Sequence, residues 1–147
     1  MPWAIGLFVM DWASYERFLI RLVSDIEKVE IATLKPQLLK GGTKVFAERL
    51  RRCRNNSDDP ILVKLLDELI PKHEILVDVR HNIVHGYWQG MDENHSFVHK
   101  RYSSRVSREN VSLKTSTDVL KNRDDINVLN GKIFDILVHL GTMKRSD

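Results

Sequence analysis

The residues best suited to chemistry lie close together, between positions 78 and 88. Arg80 precedes His85 by five residues, and Asp78 and His81 lie beside them. A guanidinium binds anions such as phosphate, and an imidazole exchanges protons near neutral pH. A carboxylate next to an imidazole fixes its tautomer and raises its basicity, which suits a general base. These residue types therefore point to acid–base chemistry on an anionic substrate.

An α-helix would place these side chains on two different arcs, at about 100° per residue. Arg80 falls inside the apolar arc, between Leu76 and Val84. The polar residues Glu74, Asp78, His81, Asn82 and His85 share another arc. An unpaired charge among apolar neighbours is costly, so Arg80 needs an acceptor or a route to solvent. Two alternatives follow: a structural ion pair, or a charge held for an anion such as phosphate. The acids that could form the ion pair are Glu27, Glu30 and Asp67.

The segment from Arg80 to His85 matches the Arg-x4-6-His motif of the HEPN superfamily (higher eukaryotes and prokaryotes nucleotide-binding), with four intervening residues. The chain also resembles that family in layout, because the motif ends a helix late in a helical bundle and one long helix follows. Many HEPN proteins are metal-independent ribonucleases, often toxins of toxin–antitoxin pairs or parts of phage defence. They work as dimers whose motifs face each other. The resemblance implies RNA as substrate, a homodimer, an antitoxin or other protein partner, and no metal or other cofactor.

The resemblance also assigns roles to individual residues. Arg80 would hold the scissile phosphate and stabilise its developing charge. His85 would take the proton of the ribose 2′-hydroxyl or give one to the leaving 5′-oxygen. The family most often has Asn or Asp directly after the arginine, whereas this chain has His81. His81 is therefore a third candidate catalytic residue, as a second acid or base, a phosphate contact, or neither. The candidate supporting residues are Asp78, Asn82 and Tyr87.

A chemical argument also favours two facing copies of the motif. Both the attack on phosphorus and the departure of the leaving group require a proton transfer, and one chain with one Arg and one His supplies a single acid–base group. A second copy would supply the other. A two-fold axis beside the motif helix would make the apolar arc around Arg80 an interface rather than core.

Basic residues are concentrated in two segments of a chain whose net charge is only +3. Residues 44–54 and 100–114 each carry five Lys or Arg against one Glu. The two segments could form one positive face, or both could be solvated surfaces balanced by nearby acids such as Asp58, Asp59, Asp92 and Glu93. On the first alternative the candidate RNA-binding residues are Lys100, Arg101, Arg105 and Arg108.

The periodicity of apolar residues predicts one domain over 1–147, mainly α: an up-and-down bundle of four to five helices with a small β-hairpin before the last helix. The first helix is expected over 11–34, with Pro36 ending or kinking it, and Thr43 is expected to cap the second. Asp59 and Pro60 should start a third helix, which Pro71 kinks or divides from a segment reaching Tyr87. Residues 96–102 and 106–114 should form the hairpin, and Gly141 should close a helix capped by Ser116 or Thr117. Trp3 and Trp12 are expected in the core.

The composition, 42% hydrophobic and 29% charged, is typical of a soluble globular chain and excludes disordered and collagen-like classes. The longest apolar run has seven residues, which is too few to span a membrane. No basic residue precedes this run, so a signal peptide is not expected either. The single cysteine, Cys53, fits a reducing compartment and is interpreted as structural. We therefore expect a cytoplasmic protein with no membrane partner.

Two other hypotheses compete with the ribonuclease. The first is a catalytically inactive HEPN-like module that binds a nucleotide, RNA or a partner protein, since folds often outlast their chemistry. The second is a structural helical bundle in which Arg80 forms a simple ion pair.

Overall fold

The structure, a computed structural model, describes residues 2–85, 87–91, 97–103, 106–114 and 116–145, with side chains at 2–42, 44–84 and 116–145. These residues form a predominantly helical bundle, which confirms the predicted class. The described elements in chain order are α1 (Pro2–Glu27), α2 (Ile31–Lys40), α3 (Thr43–Asn55), α4 (Pro60–His85), β1 (Tyr87–Met91), β2 (Phe97–Ser103), β3 (Val106–Lys114) and α5 (Ser116–His139).

The first predicted helix is in fact two helices, and the predicted bounds 11–34 are wrong. α1 begins at Pro2 and ends at Glu27. The chain turns at Lys28, whose φ of 58° lies in the left-handed region, and the Ser24 hydroxyl donates to the carbonyl of Val29 at 2.6 Å. The apolar spacing continues across this turn, so periodicity alone shows no break. Pro36 lies inside α2 rather than ending a helix.

The starts of α3 and α4 differ in how well the sequence predicts them. The N-cap of α3 is Gly42, with φ of 71°, so the prediction of Thr43 as the cap is wrong. At α4 the prediction is confirmed, because Asp59 Oδ1 accepts hydrogen bonds from the backbone of Ile61 and Leu62 at 2.9 and 3.2 Å. α4 is 26 residues long and continues through Pro71 without ending there.

Between α4 and α5 the chain forms a three-stranded antiparallel sheet in the order β1-β2-β3. This arrangement corrects the expected two-stranded hairpin, because the sequence analysis missed β1. The segment expected to continue as a helix to Tyr87 leaves the helix at His85. A register shift between Gln89 and Met91 interrupts the β1–β2 ladder.

The core lies where α1 packs along α5, and α4 packs against both α3 and α5. Tyr15 and Phe8 are its largest fully buried side chains. Trp12 is buried as expected, but Trp3 is 58% exposed, so its prediction as a core residue is wrong. α5 ends as predicted, with Gly141 at φ of 75° and a Thr142 N–H donating to the carbonyl of Leu137 at 3.0 Å.

Among the described helices, none combines the length and apolar character that a membrane crossing requires.

Candidate active site

Arg80 lies in the second-last turn of α4, half-buried at the edge of the core. Its guanidinium carbon is 5.9 Å from the centroid of the Trp12 ring, within the range of a cation–π contact. Leu76, one turn earlier, is buried, whereas Val84, one turn later, is 39% exposed. The side chain of Arg80 therefore lies between the core and the surface.

The acids named as possible ion-pair partners of Arg80 occupy other places. Glu27 accepts two hydrogen bonds of 2.7 Å from Arg49. Asp67 accepts from Arg54 at 2.9 and 3.2 Å. Glu30 is exposed at the N-cap of α2. The aromatic contact of Arg80 is with a ring of α1.

The other motif residues follow along the same helix. Asp78 is exposed, while His81 and Asn82 are half-buried. His85 is the last residue of α4, and its side chain lies outside the described side chains. Five residues of helix separate the Arg80 and His85 backbones by about 7.5 Å along the axis and about 140° around it. The two positions therefore lie on different sides of one helix, and a substrate atom shared by both residues requires long side-chain reach or a second copy of the chain.

The sheet brings one predicted basic residue near the motif. Tyr87 begins β1 two residues after His85, and it pairs directly with Lys100 of β2. Paired residues of an antiparallel ladder lie on the same face with backbones about 5 Å apart. Arg101 lies on β2 and Arg108 on β3, whereas Arg105 lies outside the described residues. The side chains of Tyr87, Lys100, Arg101 and Arg108 likewise lie outside the described side chains.

The basic segment 44–54 is largely paired with acids of other helices. Arg49 binds Glu27, Arg54 binds Asp67, and Arg51 binds Glu74. Asp59, one of the acids expected to balance this segment, instead caps α4 and contacts His139 Nε2 at 2.6 Å. This segment is therefore mostly a network between α1, α3 and α4.

Sequence reasoning missed a buried polar pair beneath Trp12. The Tyr15 hydroxyl lies 2.8 Å from Nδ1 of His73, and both side chains are buried. Burial lowers the pKa of His73 to about 4, with a smaller contribution from the charge of Arg51, and burial also raises the pKa of Tyr15. Both groups are therefore neutral at pH 7. The available signal was that Tyr15 falls on the buried stripe of α1 with Phe8, Trp12 and Leu19.

Cys53 is buried, and its thiol lies 3.6 Å from Glu27 Oε1. Burial, with the negative charge of Glu27, raises its pKa to about 12. The neighbouring arginines do not activate it, so the thiol is not a nucleophile at neutral pH.

Within the part of the chain whose side chains are described, no three His, Cys, Asp or Glu groups lie close enough together to hold a metal ion. No family model, curated protein or solved structure matches this chain.

Proposed function

We propose that this chain is a metal-independent endoribonuclease of the HEPN type, acting on RNA as a homodimer in a toxin or phage-defence role. The chemistry comes from the resemblance of residues 80–85 to the HEPN motif. One observation carries the proposal: Arg80 lies half-buried near the end of α4 against the ring of Trp12. An aromatic face makes a favourable contact with a guanidinium. A half-buried arginine near the end of a helix lies close enough to the surface to bind a phosphate.

The reaction that fits these residues is an internal transfer at phosphorus. The ribose 2′-oxygen attacks the phosphorus, the bond to the 5′-oxygen breaks, and the products carry a 2′,3′-cyclic phosphate and a 5′-hydroxyl. Arg80 stabilises the negative charge that develops on the phosphoryl oxygens. His85 accepts the proton of the 2′-hydroxyl or donates one to the 5′-oxygen, and His81 is the candidate for the complementary step.

An apolar groove beside the motif supports the homodimer. It lies between α4 and α5, has a volume of about 250 Å³, and includes Ile75 and Val128, which are 66% and 54% exposed. Lys72 and Asp125 also line it. In a two-fold contact each Lys72 can approach the partner's Asp125, so the apolar and charged groups complement one another. This surface lies on the helix that carries Arg80, as a shared cleft requires.

Cleavage of a mixed RNA by the purified protein in EDTA tests the proposal. We expect the wild type to cut, with 2′,3′-cyclic phosphate ends, and Arg80→Ala and His85→Ala each to lose at least about 100-fold in rate, as removal of charge-stabilising or acid–base groups typically does. Arg17→Ala is the matched control, because Arg17 is an exposed arginine of α1 away from the motif. It should cut like the wild type.

Three results would count against the enzyme. Cleavage that survives in both motif variants points to another site or a contaminant. Cleavage that stops in EDTA and returns with a divalent ion excludes the metal-independent route. No cleavage from a folded dimer, with RNA or nucleotide binding retained and lost in Arg80→Ala, would favour the inactive binding module.

A further inference from the structure

The outer face of the first half of α1 is apolar and exposed. Trp3, Val9 and Met10 are 58%, 44% and 68% exposed, and none of residues 2–10 carries a charged side chain. Ala4 and Phe8, on the opposite side of the helix, are buried in the core. Contiguous apolar side chains on a protein surface mark a site of interaction with another molecule. The question is therefore which molecule fits this face.

Four exposed residues of this face form one stripe, which we call the α1 stripe: Trp3, Gly6, Met10 and Ala13. Their spacings of three, four and three residues keep them on one side of the helix, and these spacings are the same when read from either end. Along the stripe the side chains alternate between large and small. Such a stripe is complementary to a second copy of itself that runs in the opposite direction, because each large side chain then lies opposite a small one.

We propose that the α1 stripe binds a second copy of this chain as an antiparallel helix pair. With a two-fold axis at the level of residue 8, Trp3 lies opposite the partner's Ala13, and Met10 lies opposite the partner's Gly6. A parallel pair would instead place like residues opposite each other, so that the large side chains collide and a gap remains at Gly6. The contact is separate from the homodimer of the proposed function, whose groove is lined by residues of α4 and α5.

The glycine of the stripe is a second observation that favours a close helix partner. Gly6 lies inside α1, where glycine is unfavourable. Apart from the adjoining backbone of α1, no described atom lies within 4 Å of the position that a Cβ would take, so the packing of the chain itself does not require glycine there. Glycine does allow a second backbone to approach closely. The nearest charges do not oppose the contact, because Asp11 is hydrogen-bonded to Arg123 and Arg17 lies past the end of the stripe.

The contact is small, so it should be weak. Four residues from each chain are well below the roughly 20–30 per partner of a standard interface. We therefore expect the α1 stripe to associate at about 100 µM and above, whereas at about 10 µM only the homodimer through the groove persists. A chain with two separate two-fold surfaces then forms a tetramer, as a pair of dimers.

Sedimentation equilibrium from about 10 to about 500 µM tests this association. The wild type should pass from dimer to tetramer. Met10→Lys should stay a dimer, with association weakened at least about tenfold, because its ammonium would lose water in the contact. Gly6→Leu should weaken association similarly by filling the space that Met10 needs, while the open surroundings of Gly6 leave the fold intact. Leu39→Lys, at an exposed apolar residue of α2, is the matched control and should associate like the wild type.

The Ile75→Lys variant separates this contact from the homodimer through the groove. It should pass from monomer to dimer over the same concentrations, and Ile75→Lys combined with Met10→Lys should stay a monomer. A monomeric wild type that dimerises only at high concentration, and not as Met10→Lys, would reject the groove dimer alone. Absence of any concentration dependence, or equal weakening by Leu39→Lys, would overturn the α1 contact. So would binding to vesicles of phosphatidylcholine and phosphatidylglycerol that is lost in Met10→Lys, because this face would then belong to a lipid surface.

Cysteine cross-linking tests the direction of the pair. Gly6→Cys combined with Met10→Cys should form an intermolecular disulfide on mild oxidation, whereas neither single variant should. In the antiparallel pair, identical positions have Cα atoms about 10 Å apart, beyond the roughly 7 Å that a disulfide spans. Cys53 is buried and does not compete. A disulfide in either single variant would show a parallel pair and refute the antiparallel contact.

Discussion

Lowering the pH should destabilise the protein through His73, a buried base that the sequence did not single out. In the folded chain burial lowers the pKa of this imidazole from 6.5 to about 4. Below pH 6.5 the unfolded chain therefore binds a proton that the folded chain does not. The unfolded state binds more protons in this window, so stability rises with pH and is lost as pH falls from 6.5 to 4. Above pH 6.5 this contribution is constant.

The size of the effect follows from the two pKa values. Each unit of pKa difference corresponds to about 1.4 kcal/mol, so the fall from 6.5 to about 4 corresponds to roughly 3 kcal/mol. The groups around the imidazole fit this direction: the neutral hydroxyl of Tyr15 faces it from α1, the ring of Phe46 from α3, and Arg51 adds a positive charge that Glu74 partly offsets. A loss of this size is a large part of the stability of a small domain.

Urea unfolding at fixed protein concentration, followed by circular dichroism at several pH values between 7.5 and 4.5, measures this loss. The matched protein is the double variant His73→Leu with Tyr15→Phe, which removes both members of the buried pair and leaves no unsatisfied hydroxyl. Acidic groups titrate in both proteins. The difference between the two proteins in the slope of unfolding free energy against pH therefore isolates the contribution of His73. We expect the wild type to lose more stability between pH 6.5 and 4.5. Identical slopes, or an NMR titration of His73 with a midpoint near 6.5, would refute the reasoning.

Further outcomes follow from other parts of the fold. Ile75→Lys should convert the homodimer to a monomer in sedimentation velocity, whereas Leu39→Lys, at an exposed residue of α2, should not; a monomeric wild type would contradict the dimer. Gly141→Ala should lower the free energy of unfolding in urea by about 1–2 kcal/mol, because φ of Gly141 is 75°. Gly131→Ala, inside α5 with open space around it, should raise that free energy by about 0.5–1 kcal/mol. A change in the same direction in both variants would be inconsistent with these backbone conformations. Cys53 should resist a thiol reagent at pH 8 until urea unfolds the chain, and rapid labelling of the native protein would show that the thiol is not buried as described.

Local chemistry explains which elements the sequence predicts well. Asp59 and Pro60 specify the start of α4, because a carboxylate accepts from free backbone N–H groups and proline has none to satisfy. Gly141 specifies the end of α5, because only glycine adopts positive φ without strain. The motif at 80–85 is equally local, so its residues could be named before the fold was known. Each of these signals depends on neighbours within a few positions.

The features that the sequence analysis missed carry no local signal of their own. The turn at Lys28 carries no glycine or proline, so the apolar spacing hides it. β1 carries little pattern of its own, and its pairing partner, β2, begins six residues after β1 ends. Trp3 is apolar but exposed, since burial depends on what packs against a side chain rather than on its type.

By itself the sequence determined a mainly helical chain, the N-cap of α4, the glycine that ends α5, and a motif whose residue types suit phosphate chemistry. The prediction of Ser116 or Thr117 as the cap of α5 is wrong, because α5 begins at Ser116 and both residues lie inside the helix. Only the tertiary structure decided which acids pair with Arg49 and Arg54 and which aromatic ring Arg80 contacts. Arg49 binds Glu27, Arg54 binds Asp67, and Arg80 contacts the ring of Trp12, because α1, α3 and α4 pack against one another. Side chains of the same type have different surroundings because helix packing determines the contacts between residues that lie tens of positions apart. The local spacing of residues does not predict those contacts.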